Sequence, residues 1–496
     1  MAAARAAHSG TGTAAASVDA ASSRSAEIGL DFSAVRAELG LPVEYPAAAL
    51  SEVEQTVAQP VFDATRVDAT DLPLVTVDPP GAKDLDQALL IDRRGSRGYR
   101  IHYAIADVAA FVPPGGALDA EVRRRGQTLY LPDGNVPLHP TLLSEGAASL
   151  LPDQIRPAVL WTIDVDRDAA PVRVDVRRAV VRSVARLDYE GVQQSLNAGI
   201  AHPAVALLPE VGRLRREQAV HRGAIELEPP EQQVESDGAG GWRLALRPRL
   251  RLEAFNAEIS LLTGMCAADI MLESGVGVLR TVPEPEPETI AGLRHSAVGL
   301  GLEWSEQQVP AEFLSDLDPT RPEALALHVA ATRLLRGAGY TAFDKGAPDK
   351  TRHAGIGAAY AHVTAPLRRL VDRYGAEICL AVHAGRDVPD WVHAALPQLP
   401  SAMGGSDRMA GQVERMCIAQ AQAWTLADRV GEEFTATVLR SSGEGDSGEV
   451  FVPDPPVIAR CTGDHLVEGQ RVWVRLTEAD PVRRDVAFEV MAPTPG

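Results

Sequence analysis

Residues 77–90 read VDPPGAKDLDQALL, and the rest of the chain is best read outward from them. Three aspartates, Asp78, Asp84 and Asp86, follow a Pro-Pro-Gly turn or flank it, ahead of an apolar run. Asp84 and Asp86 are two apart, so on extended backbone their side chains point the same way. The turn can fold Asp78 back beside them. Three carboxylates brought together repel one another and do not all stay ionised without a cation. Hard oxygen ligands suit Mg²⁺, with Mn²⁺ as the alternative, and do not suit zinc. Mg²⁺ takes few protein carboxylates and completes its shell with water and substrate phosphate oxygens, which points to phosphoryl chemistry. By itself a D-x-D pair is more often a solvated acidic turn or a loop for Ca²⁺. The surroundings have to decide.

With 496 residues the chain has room for roughly three domains. An apolar fraction of 45% and a charged fraction of 23% are those of an ordinary globular protein. No run of about 18 consecutive apolar residues occurs, so no membrane-spanning segment is expected. The first 27 residues lack an apolar signal region and read as a disordered Ala/Ser/Gly-rich tail. Four scattered cysteines without a C-x-x-C pair suit a reducing cytoplasm and offer no thiolate metal site. The net charge of −19 argues against nucleic acid as a partner, but its distribution matters more than its sum. Basic residues cluster in 123–125, 172–186, 213–217, 242–252 and 365–373, and nearly all are arginine, whose planar fork suits phosphate. Arginine dominance also follows from the compositional bias that enriches Ala, Gly and Pro. Charge balance alone selects no partner.

Apolar spacing and Pro punctuation predict a helical leader over 28–68, followed by an α+β body over 69–430. Strands are expected in LPLVTVD, QALLID and YRIHYAIADVAAFV, then in WTIDVD, VRVDVRRAVV and WRLALRP. From Leu252 the pattern turns helical and closes with a long helix over 406–430. The acidic run at 284–288 reads as a linker. Over 431–496 five short alternating strands with Gly-bearing turns suit a small OB barrel, a frequent home for single-stranded nucleic acid. In QRVWVRLTE the alternation puts Val472, Val474 and Leu476 on one face, with Arg471, Trp473 and Arg475 on the other. That second face is either a clamp for a nucleotide strand or a solvated edge, and the pattern alone favours the edge. GIGAAY (355–360) imitates a dinucleotide fingerprint but follows no expected strand and is discounted.

TVDPPGAKDLDQA (76–88) resembles the TIDPxxAxDxDDA-like signature of the ribonuclease II/ribonuclease R (RNB) family. The resemblance continues, in the family's order, through YRIHYAIADVAAFV, RRGQTLYLPDGNVPLHP, LLSEGAASLLPDQIRPA, ARLDYEGVQ, AGIGAAYAHVTAPLRRLVDRYG, QVERM and DRVGEEFTA. It implies an RNB catalytic body with a mixed sheet and a helical wall, followed by an OB domain for RNA. It also implies a 3′→5′ exoribonuclease that converts single-stranded RNA processively to nucleoside 5′-monophosphates with a divalent metal. On the matching positions, Asp78, Asp84 and Asp86 are similar to the family's metal-binding acids, and Asp86 to the most critical of them. Tyr130 matches the tyrosine that holds the 3′-terminal nucleotide. Arg368 matches the arginine on the scissile phosphate, with Arg369 beside it, and Glu414 a glutamate of the late helix. Trp473 becomes an RNA contact, and a monomeric cytoplasmic enzyme is expected.

Two positions depart from the pattern. Gln87 stands where the family has one more aspartate; its amide oxygen is a weaker Mg²⁺ ligand and cannot act as a base. Leu227 stands where the family has a phenylalanine for base stacking, at a cost of about 1–3 kcal/mol per stacked base. The stretch before Asp78 is too short for two cold-shock domains, so the leader is expected to take their place. The alternative to an active enzyme is a relative that binds RNA without cutting it. A third reading is a phosphodiesterase acting on DNA or a small nucleotide.

Overall fold

A computed structural model describes residues 30–60, 65–227, 231–236, 242–247, 250–318, 321–442, 446–464 and 466–491. The tail expected over 1–27 lies outside the described residues. The leader forms two helices, Ser33–Glu38 and Ala47–Ala58.

Five strands then close on themselves: β1 (Val67–Asp78), β2 (Gln87–Arg93), β3 (Tyr99–Ala106), β4 (Ile155–Val165) and β5 (Pro171–Asp188). Neighbours along the chain pair antiparallel, and β1 lies parallel to β5 from Val67 opposite Ala179 to Asp78 opposite Asp188. Irregularities near Leu74 bend β1 enough to complete the circuit. The interior is packed solid, as small barrels require, with Trp161, Tyr103, Leu89 and Ile101 each no more than 2% exposed. Gly98 turns β2 into β3 at φ +121°, where a Cβ would sit 2.2 Å from the Val165 carbonyl oxygen. Sequence alternation marked these strands but not their closure. The expected mixed sheet is present, with one parallel and four antiparallel pairings, and it closes into a barrel.

Helix Arg251–Ser274 packs against this barrel, with the Tyr103 hydroxyl hydrogen-bonded to Ser260 Oγ at 2.7 Å. By length and composition it is apolar enough to cross a membrane, although polar residues interrupt its apolar sequence. Yet 61% of its most apolar window is buried within the protein. Gly264 lets it approach closely, since a Cβ there would lie 2.1 Å from the Tyr360 ring. Helix Leu370–His383 runs through the core with most residues buried, and Leu399–Leu426 forms the expected long helix, starting seven residues earlier than the sequence suggested.

Strands Glu433–Ser441, Ser447–Pro453, Pro456–Thr462, Arg471–Asp480 and Asp485–Val490 form a second closed barrel. The fifth strand inserts between the third and fourth, parallel to the third, which is the OB order. Val474 and Leu476 are fully buried and Trp473 is 59% exposed, as the alternation required. The leader residues Leu30, Phe32 and Val35 share one apolar core with Leu129 and Leu131 and with Phe434 and Phe488 of this barrel.

Candidate active site

Asp78 ends β1, and the turn through Gly81 returns the chain to Asp84 and Asp86 just before β2. Asp86 is 1% exposed. Its Oδ1 accepts the Leu367 amide and its Oδ2 accepts Arg368 Nε, both at 2.7 Å. This joins residues 281 and 282 positions apart. The partner loop is held in turn by Asp372, the fully buried first-turn acid of helix Leu370–His383. Asp372 accepts the Ala365 amide at 2.6 Å and both Arg369 Nε and Nη2 at 2.9 Å. A rigid helix thus aims two successive arginines into the same place.

Electrostatics follow from that burial. Desolvation pushes the Asp86 carboxyl up to about 7, against the opposing pull of Arg368 and the Leu367 amide. Burial likewise raises Asp78 to about 6; Arg368 opposes the rise and the Asp84 charge adds to it. Burial disfavours the charge on Arg368, but the Asp86 carboxylate overrides this and holds its pKa above the usual arginine value. Arg368 keeps 38% of its side chain exposed, facing a cavity of about 750 Å³.

That cavity gathers Gln87, Tyr130, Leu227, Arg368 and Arg369. Tyr130 is 51% exposed there, with its hydroxyl in electrostatic reach of Arg368, Asp84 and Asp86. Gln87 is tied to the loop beside it: its Nε2 donates to the Thr364 carbonyl at 2.6 Å. Glu414 is not brought to the cavity. It is exposed on helix Leu399–Leu426, whose neighbouring Val413 and Cys417 face the C-terminal core, so the helical period carries Glu414 outward. Trp473 belongs to the second barrel and is not among the residues lining the cavity.

Other walls were not singled out from sequence. Tyr189, Asn256, Glu258, Tyr360 and His362 all line the cavity. Tyr189, Tyr360 and His362 lay inside the quoted segments ARLDYEGVQ and AGIGAAYAHV without being assigned a role. Asn256 and Glu258 carried no distinguishing signal, because the helix also bears Glu253, Ser260, Asp269 and Glu273. Burial raises the Glu258 carboxyl, with Arg215 opposing.

Among the described residues, no three His, Cys, Asp or Glu side chains stand together as metal ligands. The expected set of Asp78, Asp84, Asp86 and Gln87 is therefore not assembled as four ligands. Asp86 is engaged by Arg368 and the Leu367 amide, and Gln87 by Thr364. Asp78 and Asp84 remain. They interact electrostatically, and neither side chain accepts a hydrogen bond among the described residues. Two neighbouring carboxylates, one of them destabilised by burial, fit a hard dication that completes its shell with water and phosphate.

Comparison with known proteins agrees with this architecture. The RNB domain family matches residues 66–382, and the RNase II-type exonuclease C-terminal S1 domain matches residues 432–491. Ribonuclease R of Thermotoga maritima is 29% identical over 434 residues, covering 82% of this chain and 59% of that protein. Ribonuclease R of Escherichia coli is 32% identical over 326 residues, covering 62% and 39%. The chain spans about two fifths to three fifths of the length of these relatives. In fold, it is similar to Mycoplasma genitalium RNase R in complex with ribose methylated single-stranded RNA, with a TM-score of 0.82 at 20% identity over 93% of this chain and 77% of that one. Yeast Ssd1, described as a pseudonuclease, has a TM-score of 0.68 at 17% identity, covering 84% and 54%.

Proposed function

This chain belongs to the RNB family of RNase II-type exonucleases, and from that premise we propose that it hydrolyses single-stranded RNA from the 3′ end, processively, to nucleoside 5′-monophosphates. The observation that carries the reading is the meeting of Tyr130 and Arg368 at one cavity, with Arg368 held from behind by the buried Asp86. Arg368 binds the scissile phosphate and holds positive charge where negative charge develops. Asp86 acts through Arg368: it is a positioning residue that fixes the guanidinium and the loop behind it. Tyr130 stacks on the last base. Asp78 and Asp84 would hold a divalent ion, Mg²⁺ or Mn²⁺, which when bound supplies charge neutralisation and an oriented water. The water oxygen bonds to phosphorus, the P–O3′ bond breaks, and the shortened RNA keeps a 3′ hydroxyl.

The exposed Trp473 face, with Arg471 and Arg475 on the same strand, extends the path for RNA. The four cysteines are free and buried, in keeping with a reducing cytoplasm, and we infer a monomer. Gln87 supports a second reading, an RNA-binding protein without cleavage, because it replaces an acid and its amide is committed to Thr364. A 5′-labelled single-stranded RNA incubated with Mg²⁺ or Mn²⁺, beside an Asp86→Asn control, separates the two. A ladder descending to a short limit product, absent from the control, is expected. Intact RNA that still shifts on a gel would establish the binding protein instead.

A further inference from the structure

The leader contributes one short helix, Ser33–Glu38, where three other parts of the chain meet. Arg36 forks onto Asp133, Nη1 to Oδ2 at 2.8 Å and Nη2 to Oδ1 at 2.7 Å, and Nη2 also donates to the Gly134 carbonyl at 2.9 Å. Asp133 and Gly134 form the tip of the loop that carries Tyr130. The base of that loop is closed by reciprocal Leu129–Val136 backbone hydrogen bonds of 2.9 and 2.8 Å. Two residues after Arg36, Glu38 receives a second fork from Arg484, with Nη2 to Oε1 at 2.8 Å and Nη1 to Oε2 at 2.9 Å. Arg484 turns the last hairpin of the C-terminal barrel at φ +58°, a region that side chains other than glycine seldom adopt. Phe32 packs edge-on against Trp242 at 5.8 Å.

Apolar contact already seats the leader, because Leu30, Phe32 and Val35 are buried. The Arg36 fork adds something that burial does not supply. A planar guanidinium on a carboxylate fixes two distances and an orientation, and here it fixes them at the tip of the Tyr130 loop. The pair is partly shielded, with side chains 20% and 27% exposed, so solvent screens it less than a surface pair.

We propose that Arg36 is a positioning residue for the RNA 3′ end. By pinning the loop tip it holds Tyr130 in place, so the leader sets the length at which trimming stops and leaves the phosphoryl chemistry unaltered. The inference rests on the reading that Tyr130 stacks on the terminal nucleotide.

The test compares the parent, Arg36→Ala, and the charge swap Arg36→Asp with Asp133→Arg. Hydrogen exchange at the Leu129 and Val136 amides is expected to quicken roughly fivefold in Arg36→Ala and to recover in the swap. On RNA, Arg36→Ala is expected to leave a longer limit product and raise KM severalfold, with kcat on long RNA within about twofold of the parent; the swap restores the short product. Unchanged exchange overturns the proposal. So does faster exchange with an unaltered limit product and KM, which would make the fork a structural bracket only. If the parent cuts no RNA, the exonuclease reading fails separately. The proposal is then judged by exchange together with the affinity for 3′-hydroxyl single-stranded RNA, and equal affinity in parent and variant overturns it.

Discussion

The first barrel closes by laying β1 parallel to β5, whereas the C-terminal barrel closes strand Glu433–Ser441 on Arg471–Asp480 and threads its last strand between two others. Both have five strands and a packed interior, yet they offer a ligand different things. The first places its acids where the chain leaves β1 and enters β2, under a cover of helices, so that Asp86 is 1% exposed and Asp78 carries a pKa near 6. The second leaves Trp473 on an open strand face, 59% exposed. Burial turns side chains into costly, strongly interacting groups, and exposure turns them into a tolerant stacking surface. On the proposed reading the same closed architecture serves chemistry in one case and grip in the other, because function lies in the sites and not in the barrel.

The sharpest way to break that comparison is Arg368→Ala. It is expected to lower kcat about 10³-fold, the effect of removing a developing-charge stabiliser, while single-stranded RNA affinity changes only severalfold. Single-turnover cleavage and filter binding check it, and a loss of affinity as large as the loss of rate would erase the division of labour.

Next in size is the cost of burying Asp78. Its folded-state pKa is raised to about 6 from an ordinary 3.8, so the folded state binds more protons and stability falls as pH rises across that window. Asp78→Asn should therefore stabilise the metal-free protein by about 2–3 kcal/mol above pH 6. Well below the unfolded-state value of 3.8 the gain should vanish, because the wild-type carboxyl is then protonated in both states. Urea unfolding at about pH 3 and pH 7.5 measures the difference, and an equal gain at both would mean that packing, not charge, is responsible.

Trp473→Ala should weaken single-stranded RNA binding by about 1–2 kcal/mol and leave kcat at saturation unchanged. A fall in saturated kcat would bring the second barrel into the chemistry. The smallest effect concerns Gln87→Glu, which keeps the side-chain length but removes the donor to Thr364. It should lower stability by about 1 kcal/mol in a thermal melt without metal. No change would show that the tie between β2 and the 364–369 loop is energetically idle.

Much of the site was legible because its chemistry is local. Within the candidate site, Asp78, Asp84 and Asp86 stood out only together with the segments around them, since their spacing alone reads equally as a solvated turn, and Tyr130 and Arg368 were likewise marked by their segments. The C-terminal barrel was legible because Val474 and Leu476 alternate with Arg475, and a strand with one buried face has to alternate. Glu414 misled because a motif carries no information about which side of a helix faces the core. The closure of β1 onto β5 was hidden, since strand periodicity specifies faces but not partners.

What the sequence determined by itself is therefore the inventory: which residues can bear charge, which strands hide one face, and which family they resemble. Tertiary structure alone decided the assignments among them. It placed Asp86 against Arg368, 282 positions away, tied Gln87 to Thr364, and set Arg36 at the tip of the Tyr130 loop. Each of these is a directional contact between segments distant along the chain. Such contacts come into reach only once the apolar cores have closed and removed water from between the partners, and no local pattern encodes that geometry.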